Sequence, residues 1–200
     1  MRPTNPDPER GRLITLVGID GAGKTTLATS LHRHLTGTGR RALLVNKHTV
    51  TGPDDPQVRR YLDAVNAVVY RDRPANGQVC GDTYWLLALA AWYALQDALV
   101  VRPALDDGIH VLLDNSPHKI IARYRSHPCI ATELVENVFA DLPAPDVVLH
   151  LRITPARALD RKGSFTELET GRTGTAGQDF VSYQQGVADD LDAQSQAPHW

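Results

Sequence analysis

Four apolar runs stand out along this chain of 200 residues. They lie at 13–17, 42–45, 111–114 and 146–153 and are rich in valine, leucine and isoleucine, as in parallel strands that are buried on both faces. Stretches with apolar residues at helical spacing separate them. Strands that alternate with helices predict an α/β fold with a central parallel sheet covered on both sides. The predicted helices lie at 24–35, 57–70, 82–102, 117–126 and 131–142, from Thr154 and Pro155 onward, and around 180–191.

Two segments of the chain lack this pattern. Residues 1–11 are polar and proline-rich without an apolar run, which predicts a disordered lead-in rather than a signal peptide. Residues 161–177 combine glycines with several Ser and Thr, which predicts a mobile lid. The remaining length, 12–200, forms one predicted domain that includes this lid.

Charge and composition exclude some classes of partner. The formal net charge is −2 and the pI is about 6.4, so bulk electrostatics predict neither a nucleic-acid nor a membrane partner. The longest apolar run, at 84–95, is too short to span a bilayer and is typical of a buried core helix. Two widely separated cysteines, Cys80 and Cys129, fit no metal or redox spacing. We therefore expect a soluble cytoplasmic protein.

A glycine-rich motif, G-x-x-x-x-G-K-T, follows the first predicted strand and opens the first predicted helix. Its glycines let successive backbone N–H groups converge on phosphate oxygens, and the helix N-terminus adds a fractional positive charge. In such a loop Lys24 reaches the β- and γ-phosphates and the Thr25 hydroxyl binds Mg²⁺. The motif predicts a P-loop NTPase fold with three layers, α/β/α. The predicted phosphate-binding residues are Gly18, Ile19, Asp20, Gly21, Ala22, Gly23, Lys24, Thr25 and Thr26.

A single carboxylate, Asp114, closes the third predicted strand. It could cap the next turn, but ligands of open parallel sheets bind beyond the carboxyl ends of the strands. Asp114 would share that edge with the glycine-rich loop. We therefore favour a metal-binding or catalytic role for it.

Several motifs resemble those of the thymidylate kinase family. The loop at 18–26 is similar to the family's P-loop, including an acidic residue at Asp20. The stretch from Pro103 to Asp114 resembles the approach to the family's Asp-Arg-x motif. The segments at 145–162 and 180–191 look like the strand and helix that enter the lid and the helix that follows it.

The resemblance implies a fold, cofactors and roles. It implies a nucleoside monophosphate kinase with a five-stranded parallel sheet, a closing lid, ATP as phosphate donor and Mg²⁺. Asp20 would hydrogen-bond the acceptor sugar, and Thr25 with Asp114 would hold the metal. Phosphoryl transfer depends on positioning and charge neutralisation. The implied catalytic residues are Lys24, Asp114, Arg161 and Arg172, with Lys162 as a further lid cation.

The chain departs from the family pattern at the expected acceptor pocket. Asn115 replaces the arginine that grips the acceptor phosphate, and Tyr93 replaces the arginine that reads the base. Leu89 stands where a stacking aromatic is expected, and Arg123 where a tyrosine lies near the sugar. The family's Arg-Glu-Pro motif is replaced around Lys47, and the final strand of the family lies beyond Trp200. The predicted acceptor-binding residues are Asp20, Lys47, Leu89, Tyr93, Asn115 and Arg123, and Lys119 could compensate for the lost arginines.

Three hypotheses remain open. The first is ATP-dependent phosphorylation of a nucleoside monophosphate, with dTMP as the expected acceptor. The second is a kinase with a different acceptor, such as a nucleoside or a specialised metabolite. The third is a nucleotide-binding homologue with impaired catalysis. Family members are commonly homodimers, and the apolar helix at 84–101 could supply such an interface.

Overall fold

The computed structural model describes residues 10–47, 54–71, 73–125, 127, 129–163, 165–166, 169–170 and 176–197, with 73–78 and 176–178 described by their backbone alone. The predicted lead-in at 1–11 lies outside this part except for its last two residues. Of these, Gly11 is buried and donates its backbone N–H to Leu105 O at 2.7 Å. Part of the predicted lid, including Arg172, also lies outside the described residues.

The centre of the fold is a parallel sheet. Its strands are β1 (Leu13–Val17), β2 (Ala42–Val45), β3 (His110–Leu113) and β4 (Val147–His150). Within the described residues the sheet has these four strands, in the order β2-β3-β1-β4, and all neighbours are parallel. The α/β prediction and its central parallel sheet are therefore confirmed. The fifth strand implied by the resemblance is not among the described residues.

Helices connect the strands and cover the sheet. Two π-helical turns, Ala67–Arg71 and Asp97–Val101, extend or join helices in the second connection. The helices are α1 (Lys24–Gly37), α2 (Pro56–Asn66), α3 (Arg73–Gln96), α4 (Arg102–Asp106), α5 (Pro117–Arg125), α6 (Thr132–Asn137), α7 (Pro155–Lys162) and α8 (Ala176–Gln194).

Apolar side chains fill two regions of the interior. The larger cluster gathers side chains of β1 to β3 with α3, α4 and α5, and the smaller one joins the glycine-rich loop to α7 and α8. Thr15, Leu16 and Val17 of β1 are successive and all buried. Because successive strand residues point to opposite faces, both faces of β1 are covered. This explains why the strands appear in the sequence as continuous apolar runs.

The long apolar helix is predicted over 82–102, and its structure agrees at the first end and differs at the second. A helical segment already starts at Arg73, but Gly81 has a φ of 72° and interrupts it, so a separate helix begins at Asp82 as predicted. At the other end α3 stops at Gln96, and Pro103 lies in the first turn of α4. Proline is tolerated there because the first N–H groups of a helix have no intrahelical acceptor. The helix that was predicted to end before Pro103 is therefore followed there by another helix, α4.

Two other predicted elements are shorter in the structure. The helix predicted at 131–142 is regular only over Thr132–Asn137, and turn-type bonds such as Phe139 N to Glu136 O (3.3 Å) continue it. The strand predicted at 146–153 is regular over Val147–His150. Thr154 caps the next helix as predicted, because its side chain accepts a hydrogen bond from Arg157 N.

One helical stretch, Val79–Asp106, is long and apolar enough to cross a membrane by length and composition. More than half of it is buried inside the protein. Trp85, Leu86 and Trp92 are each at most 1% exposed. Burial of this kind is typical of a core helix, which agrees with the prediction for this run.

Candidate active site

The glycine-rich loop joins β1 to α1 and requires glycine at two positions. Gly18 has a φ of 145°, and a Cβ there would lie 2.6 Å from Leu151 O. Gly23 has a φ of 96° and forms the N-cap of α1 in the left-handed region. Other residues adopt this region only with strain. The loop therefore combines close backbone packing with a turn that directs the first N–H groups of α1 outward.

Lys24 folds back into this loop. Its ammonium group donates to Gly18 O at 2.9 Å and to Ile19 O at 2.8 Å. Burial lowers the pKa of Lys24, while the carboxylates of Asp20 and Asp114 oppose that change. The cation thus lies inside the loop, where an anionic phosphate would be held.

Thr25 and Asp114 meet at the carboxyl edge of the sheet. The Thr25 hydroxyl donates to Asp114 Oδ2 at 2.8 Å. Asp114 directly follows β3 and is 8% exposed, and its Oδ1 has no hydrogen-bond partner among the described residues. A buried carboxylate oxygen without a partner beside a hydroxyl is a donor set that suits Mg²⁺. Groups of three or more His, Cys, Asp or Glu that could hold a metal are absent from the described residues, so any Mg²⁺ here would take its other ligands from water and substrate.

Asp20 is the centre of a buried ionic cluster. Its carboxylate is paired with the Lys119 ammonium group and accepts a hydrogen bond from Arg123 Nη2 at 2.6 Å. Gln184 Nε2 donates to Asp20 Oδ2 at 3.1 Å, and Gln184 Oε1 accepts from Asp20 N at 3.0 Å. We call Asp20, Lys119, Arg123 and Gln184 the Asp20 cluster.

The cluster is electrostatically coupled to Lys24. Burial alone would raise the pKa of Asp20, but the charges of Lys119, Arg123 and Lys24 hold it well below its usual value. Burial also lowers the pKa of Lys119, and Lys24 and Arg123 lower it further, against the opposing effect of Asp20. The cluster therefore holds one ionised carboxylate among an excess of cationic groups.

Gln184 was not identified from the sequence. It is completely buried on α8, on the face that carries Phe180, Val187 and Leu191. It also donates to Glu169 O at 2.9 Å, so it links the glycine-rich loop to the segment before α8. An amide at an apolar position of a helix was the signal in the sequence that could have indicated a buried polar contact.

Asn115 is directed toward the interior. Its amide is hydrogen-bonded to the Tyr70 hydroxyl. Tyr70 was not identified from the sequence. Its ring packs edge-on to Trp92, with centroids 6.3 Å apart. Burial raises the pKa of Tyr93 well above its usual value, and nearby Tyr70 adds to that effect. The structure thus brings Asn115 and Tyr93 close to Tyr70, beneath the end of β3.

The remaining predicted residues are more scattered. Leu89 is 1% exposed and packs in the larger apolar cluster. Lys47 is exposed, and its carbonyl accepts from Asn66 at 3.2 Å. Arg161 is exposed near the end of α7, and the neighbouring Lys162 is paired with Glu169. Among the described residues, neither Leu89 nor Arg161 forms a hydrogen bond or ion pair with the Asp20 cluster.

A cleft of about 300 Å³ adjoins the glycine-rich loop. It shares Ile19 with the loop and continues along Leu151 to Pro155 and the exposed side of α8. Arg152 and Asp192 form an ion pair at 2.9 Å on its wall. The volume is at the lower end of the range for small-molecule sites.

The glycine-rich loop joins a strand directly to a helix at the carboxyl ends of a parallel sheet, and helices cover both faces of that sheet. This arrangement defines a P-loop NTPase fold. Comparison with known proteins narrows this class. A sequence model of the family described as "Thymidylate kinase" matches residues 16–181. The chain belongs to the thymidylate kinase family, which confirms the resemblance seen in its motifs.

Curated relatives agree with this assignment. Thymidylate kinase of Xanthomonas euvesicatoria pv. vesicatoria is 34% identical over 152 residues, which cover 76% of this chain and 60% of that protein. Thymidylate kinase of Chlorobaculum parvum is 31% identical over 157 residues, covering 76% of this chain and 66% of the relative. Thymidylate kinase of Danio rerio is 27% identical over 152 residues, covering 76% and 66%. The match thus spans about 60% of the length of the bacterial relative with the highest identity among these three.

Proposed function

We propose that this protein transfers the γ-phosphoryl group of ATP to a nucleoside monophosphate, with dTMP as the first candidate acceptor. The observation that carries the proposal is the juxtaposition of Lys24, Thr25 and Asp114 at one edge of the sheet in a chain of the thymidylate kinase family. These are the groups that a phosphoryl-transfer site needs, a cation for the phosphates and an oxygen pair for a metal.

ATP would bind with its phosphates against the glycine-rich loop. Lys24 would exchange its bonds to Gly18 O and Ile19 O for bonds to phosphate oxygens, and the N–H groups at the start of α1 would add donors. The cleft beside Ile19 would take the adenosine end, because it adjoins the start of the loop. Thr25 and Asp114 would hold Mg²⁺, which when bound neutralises charge on the phosphates.

Lid cations would complete the site. Arg161 and Arg172 are proposed to neutralise charge on the transferred group when the lid closes over ATP. Arg161 is exposed, as expected for a side chain free to swing toward a substrate, and Arg172 lies outside the described residues. The acceptor would approach from the side of Asp20, Asn115 and Arg123.

The two alternatives differ in measurable ways. A kinase with another acceptor is suggested by the replacements Leu89, Tyr93 and Asn115, which leave two expected arginines and a stacking aromatic absent from the pocket. Bidentate arginine contacts are not replaced by asparagine, since the amide carries no charge. A catalytically impaired homologue would bind ATP but transfer no phosphoryl group.

We also propose that two copies associate through α3. Tyr84 and Leu87 are 44% and 47% exposed, and Ala91 and Ala94 continue the same exposed face at spacings of three and four residues. Small residues on such a face allow a second helix to approach closely. A cytoplasmic location is proposed in line with small nucleotide substrates and with the two free, exposed cysteines.

The deciding experiment measures ADP formation from Mg·ATP with a panel of nucleoside monophosphates and the matching nucleosides. Reactions without acceptor and with Lys24→Ala are the controls. Turnover stimulated by dTMP and abolished by Lys24→Ala would support the proposal. Stimulation by a nucleoside instead would favour the second hypothesis, and ATP binding without transfer to any acceptor would favour the third.

A further inference from the structure

Two cationic side chains of α5 project into the site at the place where a phosphorylated acceptor would approach. Lys119 and Arg123 are four residues apart, so they lie on the same face of the helix. That face is held against the glycine-rich loop, because both side chains are bonded to Asp20. α5 begins three residues after Asp114, at the carboxyl edge of the sheet.

Neither cation is an ordinary surface charge. The side chain of Lys119 is 10% exposed and that of Arg123 is 16% exposed. Removing two such charges from water is costly unless they are matched by opposite charge. Within the described residues they share one directly bonded carboxylate, Asp20, whereas Glu169, which also faces Arg123, is already paired with Lys162.

The site carries more positive than negative charge, which favours the binding of an anion. Apart from the exposed Lys47 and the Lys162–Glu169 ion pair, three cationic groups act on each other here, and two carboxylates face them. The cations are Lys24, Lys119 and Arg123, and the carboxylates are Asp20 and Asp114. A divalent metal held by Asp114 would increase the surplus of positive charge.

Arg123 supplies a second observation, a buried hydrogen-bond donor without a partner among the described residues. Its Nε atom is buried and has no hydrogen-bond partner in the part of the chain that the structure describes. A buried N–H without an acceptor is costly in a native structure and points to a ligand or an ordered water. One edge of the guanidinium therefore remains available while Nη2 is bonded to Asp20.

Asn115 does not fill the role of the arginine that it replaces. It is uncharged, and its amide is hydrogen-bonded to Tyr70 in the interior. Lys119 and Arg123 of α5, four and eight residues further along the chain, instead carry positive charge to the Asp20 cluster.

We propose that Lys119 and Arg123 bind the dianionic phosphate of the acceptor, in place of the arginine missing at position 115. Asp20 holds the two cations in position before the acceptor arrives, and the phosphate then shares or replaces that carboxylate as their partner. The site consequently selects a phosphorylated acceptor over its neutral nucleoside. The inference rests on the proposed function, since it assigns the acceptor half of that site.

The test measures equilibrium binding without ATP, so that it does not depend on turnover. The probes are the nucleoside monophosphate with the highest turnover in the panel (dTMP if none turns over), the matching nucleoside, and the methyl ester of the monophosphate, which carries one charge fewer. The variants are Lys119→Met, Arg123→Gln and Arg123→Lys. Arg125→Gln is the matched control, because Arg125 lies on α5 but is paired with Glu136 and Asp190.

We expect Lys119→Met and Arg123→Gln each to weaken monophosphate binding roughly 10- to 100-fold, as for loss of a charge-assisted contact. Nucleoside binding should change little, Arg123→Lys should recover part of the affinity, and Arg125→Gln should bind like wild type. Thermal unfolding verifies that each variant is folded, and Arg123→Lys keeps the test valid if removal of a buried charge prevents folding.

Two results would overturn the inference. One is wild-type protein that binds the monophosphate no more tightly than the nucleoside. The other is folded Lys119→Met and Arg123→Gln with unchanged monophosphate affinity. Failure of the proposed function gives a different result, because wild-type protein would then transfer no phosphoryl group even if its monophosphate binding depended on Lys119 and Arg123.

Discussion

Gln184 and Asp20 are 164 positions apart in the chain, and their side chains meet at 3.1 Å in the interior. The contact is double, since Gln184 Oε1 also accepts from Asp20 N at 3.0 Å. The same amide donates to Glu169 O at 2.9 Å. A single buried glutamine thus ties the glycine-rich loop to the segment before α8, where the lid is predicted.

Replacement of Gln184 should weaken the attachment of both the glycine-rich loop and the segment before α8. Gln184→Leu leaves the Asp20 N–H and the Glu169 carbonyl without a partner, and each buried unsatisfied group costs roughly 1–3 kcal/mol. We expect the free energy of unfolding to fall by about 2–4 kcal/mol and the KM for ATP to rise. Denaturant unfolding and steady-state kinetics measure these changes. Ser182→Ala, at an exposed position of α8, is the control for stability, and equal stability of the two variants would argue against the link.

The Thr25 and Asp114 pair should control the dependence on Mg²⁺. Asp114→Asn keeps an oxygen near the Thr25 hydroxyl but removes the charge that a divalent cation requires. We expect kcat to fall on the order of 100-fold and the Mg²⁺ concentration for half-maximal turnover to rise. Thr25→Ser, which retains the hydroxyl, should keep kcat and the Mg²⁺ dependence near those of wild type. Thr25→Val, which lacks the hydroxyl, should change both. The control is Asp63→Asn, an exposed carboxylate of α2 paired with Arg71. An unchanged Mg²⁺ titration for Asp114→Asn would rule out this metal site.

The parts of this molecule that the sequence predicts are those specified locally. β1 and β2 have the predicted bounds, because strands buried on both faces are continuous apolar runs. The glycine-rich loop was found because its chemistry fits within nine consecutive residues. The C-terminal bounds of α3 and α6 were less accurate, since α3 changes to a π-helical turn after Gln96 and irregular turns follow Asn137.

The acceptor side was predictable only in part. Asp20 and Arg123 were identified, but their direct contact joins residues 103 positions apart. The partnership of Asn115 with Tyr70 spans 45 positions and left no periodic signal. Helical spacing shows which residues share a face of a helix, but it does not show which face of another element they contact. The contacts of Lys119 and Gln184 with Asp20 form only when α5 and α8 pack against the glycine-rich loop.

The proposed association through α3 predicts how the oligomeric state responds to a charge placed on that helix face. Leu87 is 47% exposed at the centre of the apolar face, and a carboxylate there could not be buried against a second copy without a large desolvation cost. We expect Leu87→Glu to give monomers at concentrations where wild-type protein forms dimers, as measured by sedimentation equilibrium. Val79→Glu, at a residue 87% exposed near the start of the described side chains of α3, tests whether any added charge has the same effect. A wild-type protein that is monomeric throughout would refute the interface.

His118 should make the stability of the protein depend on pH. It lies in the first turn of α5 with Nδ1 2.7 Å from Ser116 Oγ, and burial lowers its pKa from 6.5 to about 4. The unfolded chain therefore binds a proton at a higher pH than the folded chain. The contribution of neutral His118 to stability is complete above pH 6.5 and is lost as the pH falls from 6.5 toward about 4. At its limit the loss amounts to about 2–3 kcal/mol, reduced by partial exposure to solvent.

His118→Asn removes the titrating group and should flatten the decline in the free energy of unfolding over this pH range, as measured by urea unfolding at each pH. His34→Asn, at an exposed position near the end of α1, should leave the decline unchanged. Identical pH profiles for wild type and His118→Asn would mean that other buried groups are responsible for the acid sensitivity.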